Sequence, residues 1–157
     1  MSNTKAKLLD IQKKDEEREI AHKKAYETIP FFINKLNTSK QASYLVKIKL
    51  VDKERSSKEN KIYIYMWLND IFYDEQTKEF EGEFFEVPQA LEDEYEVGDV
   101  LVFKDTGIYD WMIMENKNLE GGFTIRLNRS RIESDDERYD FDSYLGVKHY
   151  IPLPSNF

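Results

Sequence analysis

Cysteine is absent from all 157 residues, which excludes disulfide staples, thiolate zinc sites and cysteine nucleophiles. Histidine occurs only twice, as His22 and His149, far apart and outside any H-E-x-x-H or H-x-H pattern, so no metal site is expected. No stretch approaches the roughly 18 consecutive apolar residues of a membrane span. Residues 1–15 also lack the apolar core of a secretion signal. These absences suggest a bacterial-type cytoplasmic protein with no membrane partner, although a cysteine-free chain suits an extracellular address equally well. There is no G-x-S-x-G elbow, Gly98–Asp99 is not a phosphate loop, and no internal repeat or long low-complexity linker is present. No catalytic set and no cofactor are expected.

What is present is charge and aromatics. Thirty-one Asp and Glu against 23 Lys and Arg give a net charge of −8, which argues against a duplex nucleic-acid partner. Ten Tyr, ten Phe and two Trp lie mostly after residue 60, in alternating patterns that favour strands over a helical bundle. From Thr4 to Glu27 the chain has no Pro or Gly and few apolar points, which predicts one long helix with the charged run Lys13–Glu19 in solvent. Thr28-Ile29-Pro30 then predicts a fresh helix start, carrying Phe31, Phe32, Ile33 and Leu36. A period of two begins at Ser43, and a second alternating run, Lys61–Asp74, is apolar on both sides and reads as a central strand covered twice. Further strands are expected over EFEGEFFEV, VLVFK and IYDWMIM, with Asn116–Asn118 and the Gly121–Gly122 pair bracketing a hairpin that continues through FTIRLNRSRI. Ser134 and Glu137 form a capping-box pattern for a short last helix stopped by Gly146, and HYIPLP is an extended tail. The expected class is α+β: N-terminal helices, a curved antiparallel sheet or partly open small barrel of five or six strands, and a short C-terminal helix. Residues 1–27 are expected as a helical arm and residues 28–157 as a single domain.

The pieces Ile108-x-Asp110-Trp111-Met112 and, after a short polar turn, Gly121-Gly122-Phe123-Thr124-x-Arg126 carry a resemblance. Met66–Trp67, Phe80-x-Gly82-x-Phe84 with Pro88 after it, Gly98–Asp99, Phe141 and Leu145–Gly146 follow in the same order. Together they resemble a bacterial domain-of-unknown-function family, number 2314, called YegJ-like, over roughly residues 25 to 146. The resemblance implies a shared α+β fold and lends no activity. The stretch from Asp70 to Asp99 is longer and more acidic than that pattern.

Two groups of residues stand out as candidate sites. Asp110 and Arg126 on paired strands can form a bidentate bond with Trp111 walling a pocket beside them, Thr124 adding a hydroxyl and Trp67 a further ligand-binding candidate; this reads either as a small-ligand pocket or as a lock on hairpin register. The second is acidic. Residues 70–99 hold twelve Asp and Glu against Lys78 alone, a local charge of −11 that leaves +3 for the rest of the chain. Asp74, Glu75, Glu79, Glu81 and Glu83 are the expected contacts for a basic protein partner, the last three sharing one strand face opposite Phe80 and Phe84. Calcium is not expected there, because neither DEQTKEFEGE nor LEDEYEVGD has EF-hand spacing. Two functions compete: a noncatalytic module binding a basic protein, for example of the immunity type, and a small-ligand sensor or hydrolase at Asp110, Trp111 and Arg126. Oligomeric state and strand order are open at this level.

Overall fold

Twenty-six residues free of Pro and Gly, Ser2–Glu27, form helix α1 in the computed structural model, which describes residues 2–152. Its first half stands in solvent with Leu8, Leu9 and Ile11 exposed, held by pairs such as Lys14–Asp10 and Arg18–Asp15. Only toward its end do Ala21 and Ala25 become buried, because two small side chains let the helix backbone approach the body closely. Thr28 then breaks the helix, its hydroxyl donating back to the carbonyls of Lys24 and Ala25, and Pro30 sits in the first turn of α2, Ile29–Lys35.

The period-two runs become strands: β1 Ser43–Val51, β2 Tyr63–Asp74, β3 Glu79–Glu83, β4 Val100–Phe103, β5 Ile108–Glu115, β6 Asn118–Gly121 and β7 His149–Tyr150. Helices α3, Phe123–Ser130, and α4, Asp135–Leu145, lie between the last two. The strands make one open sheet in the order β4-β3-β2-β1-β5-β6-β7. The α+β class is therefore as expected, with seven strands among the described residues instead of five or six. All pairs are antiparallel except β6 with β7, where the chain returns from α4 to pair in parallel. Of the expected tail, Leu153 and Pro154 lie outside the described residues.

One expected element is replaced. FTIRLNRSRI is not a strand; it begins helix α3. The β5–β6 hairpin turns at Asn116 and Lys117, with φ of 50° and 66°, the positive-φ pair of a two-residue hairpin turn. Gly121 and Gly122, at φ 70° and 64°, instead lead the chain out of the sheet into the helix. A Cβ on Gly121 would stand 2.6 Å from the Trp111 ring, so glycine is required there twice over, by conformation and by contact. At the other end Ser134 Oγ accepts from the Glu137 N–H and Gly146 closes α4 in the left-handed conformation, as the capping pattern predicted.

The sheet buries both faces, unequally. On one face Val46, Ile48, Met66, Leu68, Trp111 and Ile113 pack with Phe32 and the end of α1, and the same core runs on to Phe80, Phe84 and Leu91. On the other, Trp67, Met112 and Met114 pack with Leu119, Ile125, Val147 and the apolar side of α4. β2 is covered along one face, but on the other only Trp67 joins this packing while Tyr63 and Tyr65 are exposed, so the expected cover on both sides is met at Trp67 alone, because α3 and α4 do not extend over the rest of the strand. Helices α3 and α4 stop short of β3 and β4. There the second face carries Phe72, Glu81 and Val102 in one cross-strand row and Glu83 with Val100 in the next.

Candidate functional site

Asp110 is fully buried and accepts four hydrogen bonds. One oxygen takes the N–H groups of Trp111 at 2.8 Å and Phe123 at 3.1 Å; the other takes the N–H of Thr124 at 2.9 Å and its hydroxyl at 2.6 Å. Phe123 and Thr124 open α3, whose first N–H groups have no partner within the helix, and Gly122 before them has no side chain to offer. Asp110 is thus a cap delivered from a neighbouring strand, with its charge at the favourable end of the helix dipole. Burial pushes its carboxyl above the ordinary value, opposed by those four bonds.

Arg126 does not reach Asp110. Its guanidinium donates to the carbonyls of Gly121 at 2.7 Å, Leu119 at 3.1 Å and Ile151 at 2.7 Å, tying α3 to β6 and to the segment after β7. The expected bidentate pair is corrected accordingly: with Phe123–Ser130 helical, Asp110 and Arg126 are not on paired strands, and each finds backbone partners closer to hand. Trp111 is buried in the core, its Nε1 donating to Thr28 Oγ1 at 2.9 Å and its ring packed on Phe32. Trp67 lies half-buried on the opposite face among Leu119 and Ile125. Of the five ligand candidates, two line open cavities: Arg126 a mostly apolar one of about 260 Å³ beside α1, and Thr124 one further along the sheet.

That cavity, of about 290 Å³, holds residues that sequence reasoning passed over, chiefly Lys47 and Tyr109. Lys47 sits opposite both Trp67 and Asp110 in the sheet. Its Nζ lies 3.4 Å from Thr124 Oγ1 and over the rings of Trp67 and Tyr109. The register shifts beside it, from Lys47 with Asp110 to Ile48 with Ile108, so that Tyr109 is an extra residue and both Tyr109 and Asp110 are aimed at the Lys47 side. A bulge has no signal in the alternation of a single strand. A polar residue at Lys47, between Val46 and Ile48, could have been flagged only as one position on the more polar face of β1.

The acidic residues gather at the other end of the sheet. Of the twelve carboxylates in residues 70–99, nine are exposed and none is buried. Glu94, with Lys53 at 3.4 Å, is the one that pairs with a cation among the described residues. Asp74 and Asp99 cap turns through backbone N–H groups. Glu79, Glu81 and Glu83 alternate with the buried Phe80 and Gly82, as the sequence pattern required. Phe72, Val100 and Val102, each more than half exposed, lie among them. Beside this face, next to Phe72 and Phe85, is a larger cavity of about 560 Å³ lined also by Asn69 and Asp70. Asn69 Oδ1 is buried with no donor among the described residues, and Asp70 holds φ 51° where β2 bulges against β3. No group of three or more acid or histidine side chains among the described residues is arranged to hold a metal. No described helix is long and apolar enough to cross a membrane.

The chain belongs to a family of uncharacterized proteins conserved in bacteria, DUF2314, whose model matches residues 15–149. The match gives the family and not the narrower YegJ-like label. No curated protein and no solved structure matches the chain.

Proposed function

Proceeding from membership in a family without an assigned activity, we propose that the protein is a noncatalytic interaction module whose bare sheet face over β2, β3 and β4 docks a basic protein. The observation that carries this reading is the set of eleven carboxylates in residues 70–99 with no cationic partner among the described residues, together with an exposed apolar strip of Phe72, Val100 and Val102 beside Glu81 and Glu83. Apolar area supplies affinity, and the unneutralised acids select a cationic surface and accelerate encounter. The neighbouring cavity offers a seat for a lysine or arginine of the partner, because the Asp70 carboxylate lines it alongside Phe72 and Phe85. A protein that neutralises a basic toxin or nuclease in the manner of an immunity protein would have this surface.

The test compares wild type with the triple variant Glu79→Lys, Glu81→Lys, Glu83→Lys as bait in bacterial lysate at low and high salt, followed by reconstitution with each purified captured protein. A basic protein bound by wild type, released by salt and not bound by the variant supports the reading. Equal binding by the folded variant removes it.

A further inference from the structure

The cavity around Lys47 lies over the middle of the sheet, away from β3 and β4, and has the opposite charge. It is lined by Arg18 of α1, Lys47 of β1, Tyr65 of β2, Tyr109 of β5, and Thr124 and Arg131 at the two ends of α3, with no carboxylate in its wall. Five separate elements therefore converge on one space. In a chain of net charge −8, three cations around one cavity are not a consequence of composition. Arg18 and Arg131 are partly engaged, with Asp15 and with Glu17. Lys47 has no ion-pair partner among the described residues, and its only hydrogen-bond contact is the long one to Thr124. Burial holds the Lys47 ammonium below its ordinary value, against the pull of Asp110 behind Thr124.

Arg131 uses one terminal nitrogen on the Lys14 carbonyl and Glu17, which fixes its guanidinium in the cavity wall with Lys47. The aromatic wall is also fixed in place: Tyr109 is stacked on His22 of α1 with centroids 4.7 Å apart, and Tyr65 lies 4.4 Å from Tyr109, tilted to it by 48°. A cavity of about 290 Å³ is far larger than a bare oxyanion needs, and the tyrosine pair gives the remaining volume an aromatic side.

We propose that this cavity binds a small aromatic phosphate ester, its phosphoryl oxygens facing Lys47 and Arg131 and its ring lying against Tyr65 and Tyr109. The site is separate from the acidic face and does not depend on a protein docking there. A bound dianion neutralises Lys47 and fastens α1, α3 and the sheet together at one point.

Phenyl phosphate is the probe, titrated into the full chain and followed by calorimetry and by the amide signals of Lys47, Tyr109 and Thr124. Saturable binding is expected, with inorganic phosphate and phenol each binding more weakly by about tenfold or more, since each keeps only half of the contacts. Lys47→Met and, separately, Arg131→Gln should weaken phenyl phosphate by about tenfold or more while the urea midpoint shows a folded protein. The Glu79, Glu81, Glu83 triple variant should bind it as wild type does, which separates this site from the docking face. Absence of saturable binding overturns the proposal, as do unchanged affinity in both folded cavity variants, signals that move elsewhere in the chain, or benzoate binding as tightly as phenyl phosphate.

Discussion

Asp110 is the residue on which most of the local structure turns, because a single carboxylate fixes the start of α3 and the bulged end of β5 together. Asp110→Asn keeps the shape but replaces one acceptor oxygen with a donor that faces N–H groups, so a loss of about 2–4 kcal/mol is expected from urea unfolding. Arg126→Met should cost about 2–3 kcal/mol by the same measurement, since three backbone carbonyls lose a charged donor. That outcome would identify Arg126 as a structural tie; an unchanged urea midpoint would return it to the list of ligand contacts. Gly121→Ala combines an unfavourable left-handed φ with a Cβ pressed on Trp111, and at least about 2 kcal/mol of destabilisation should follow. The residue types at these positions were legible in the sequence, whereas their partners were not: Asp110 and Arg126 were singled out for each other and are in fact bound to backbone.

Among the elements, the last helix is held by a small polar cluster. Arg129 of α3 makes a two-pronged bond to Asp142 of α4, and Tyr150 of β7 donates to the same carboxylate at 2.6 Å. Burial works to raise the Asp142 carboxyl, but the bonds from Arg129 and Tyr150 outweigh it and hold it below the ordinary 3.8. A carboxyl whose native value is depressed adds stability above its unfolded value, and that stability is lost as pH falls through the native value. Asp142→Asn should therefore be less stable than wild type at about pH 6, with the gap closing on acidification below about pH 4 in urea midpoints taken across the range. A gap that stays constant with pH would mean that the carboxylate's charge contributes nothing. Elements whose signals are local, α1, α2, α4 and β2, were read from the sequence. Helix α3 was not, because its cap comes from thirteen residues upstream and F-T-I-R-L alternates as a strand does.

At the scale of the molecule, charge is segregated: −11 in residues 70–99 against +3 elsewhere. Crowded carboxylates on one sheet end repel one another, and salt screens that repulsion over distances of several ångströms. The urea midpoint of wild type should rise between about 0.05 and 1 M NaCl, and rise less in the triple Glu→Lys variant. Equal salt responses would show that the acids are too well solvated to strain the fold. The same segregation separates an acidic, partly apolar face at β3 and β4 from a cationic cavity between α1, α3 and the middle of the sheet.

The sequence by itself determined what the protein lacks, the α+β class, the alternation that makes β2 a central strand, and the acidic end of the molecule. These follow from composition and from periods that act over a few residues. Only the tertiary structure decided what Asp110 caps, where Arg126 points, and that Lys47, Tyr109 and Arg131 meet. Those facts depend on a β-bulge and on how far the helices extend across the sheet, and both are set by packing between segments that are distant in the chain.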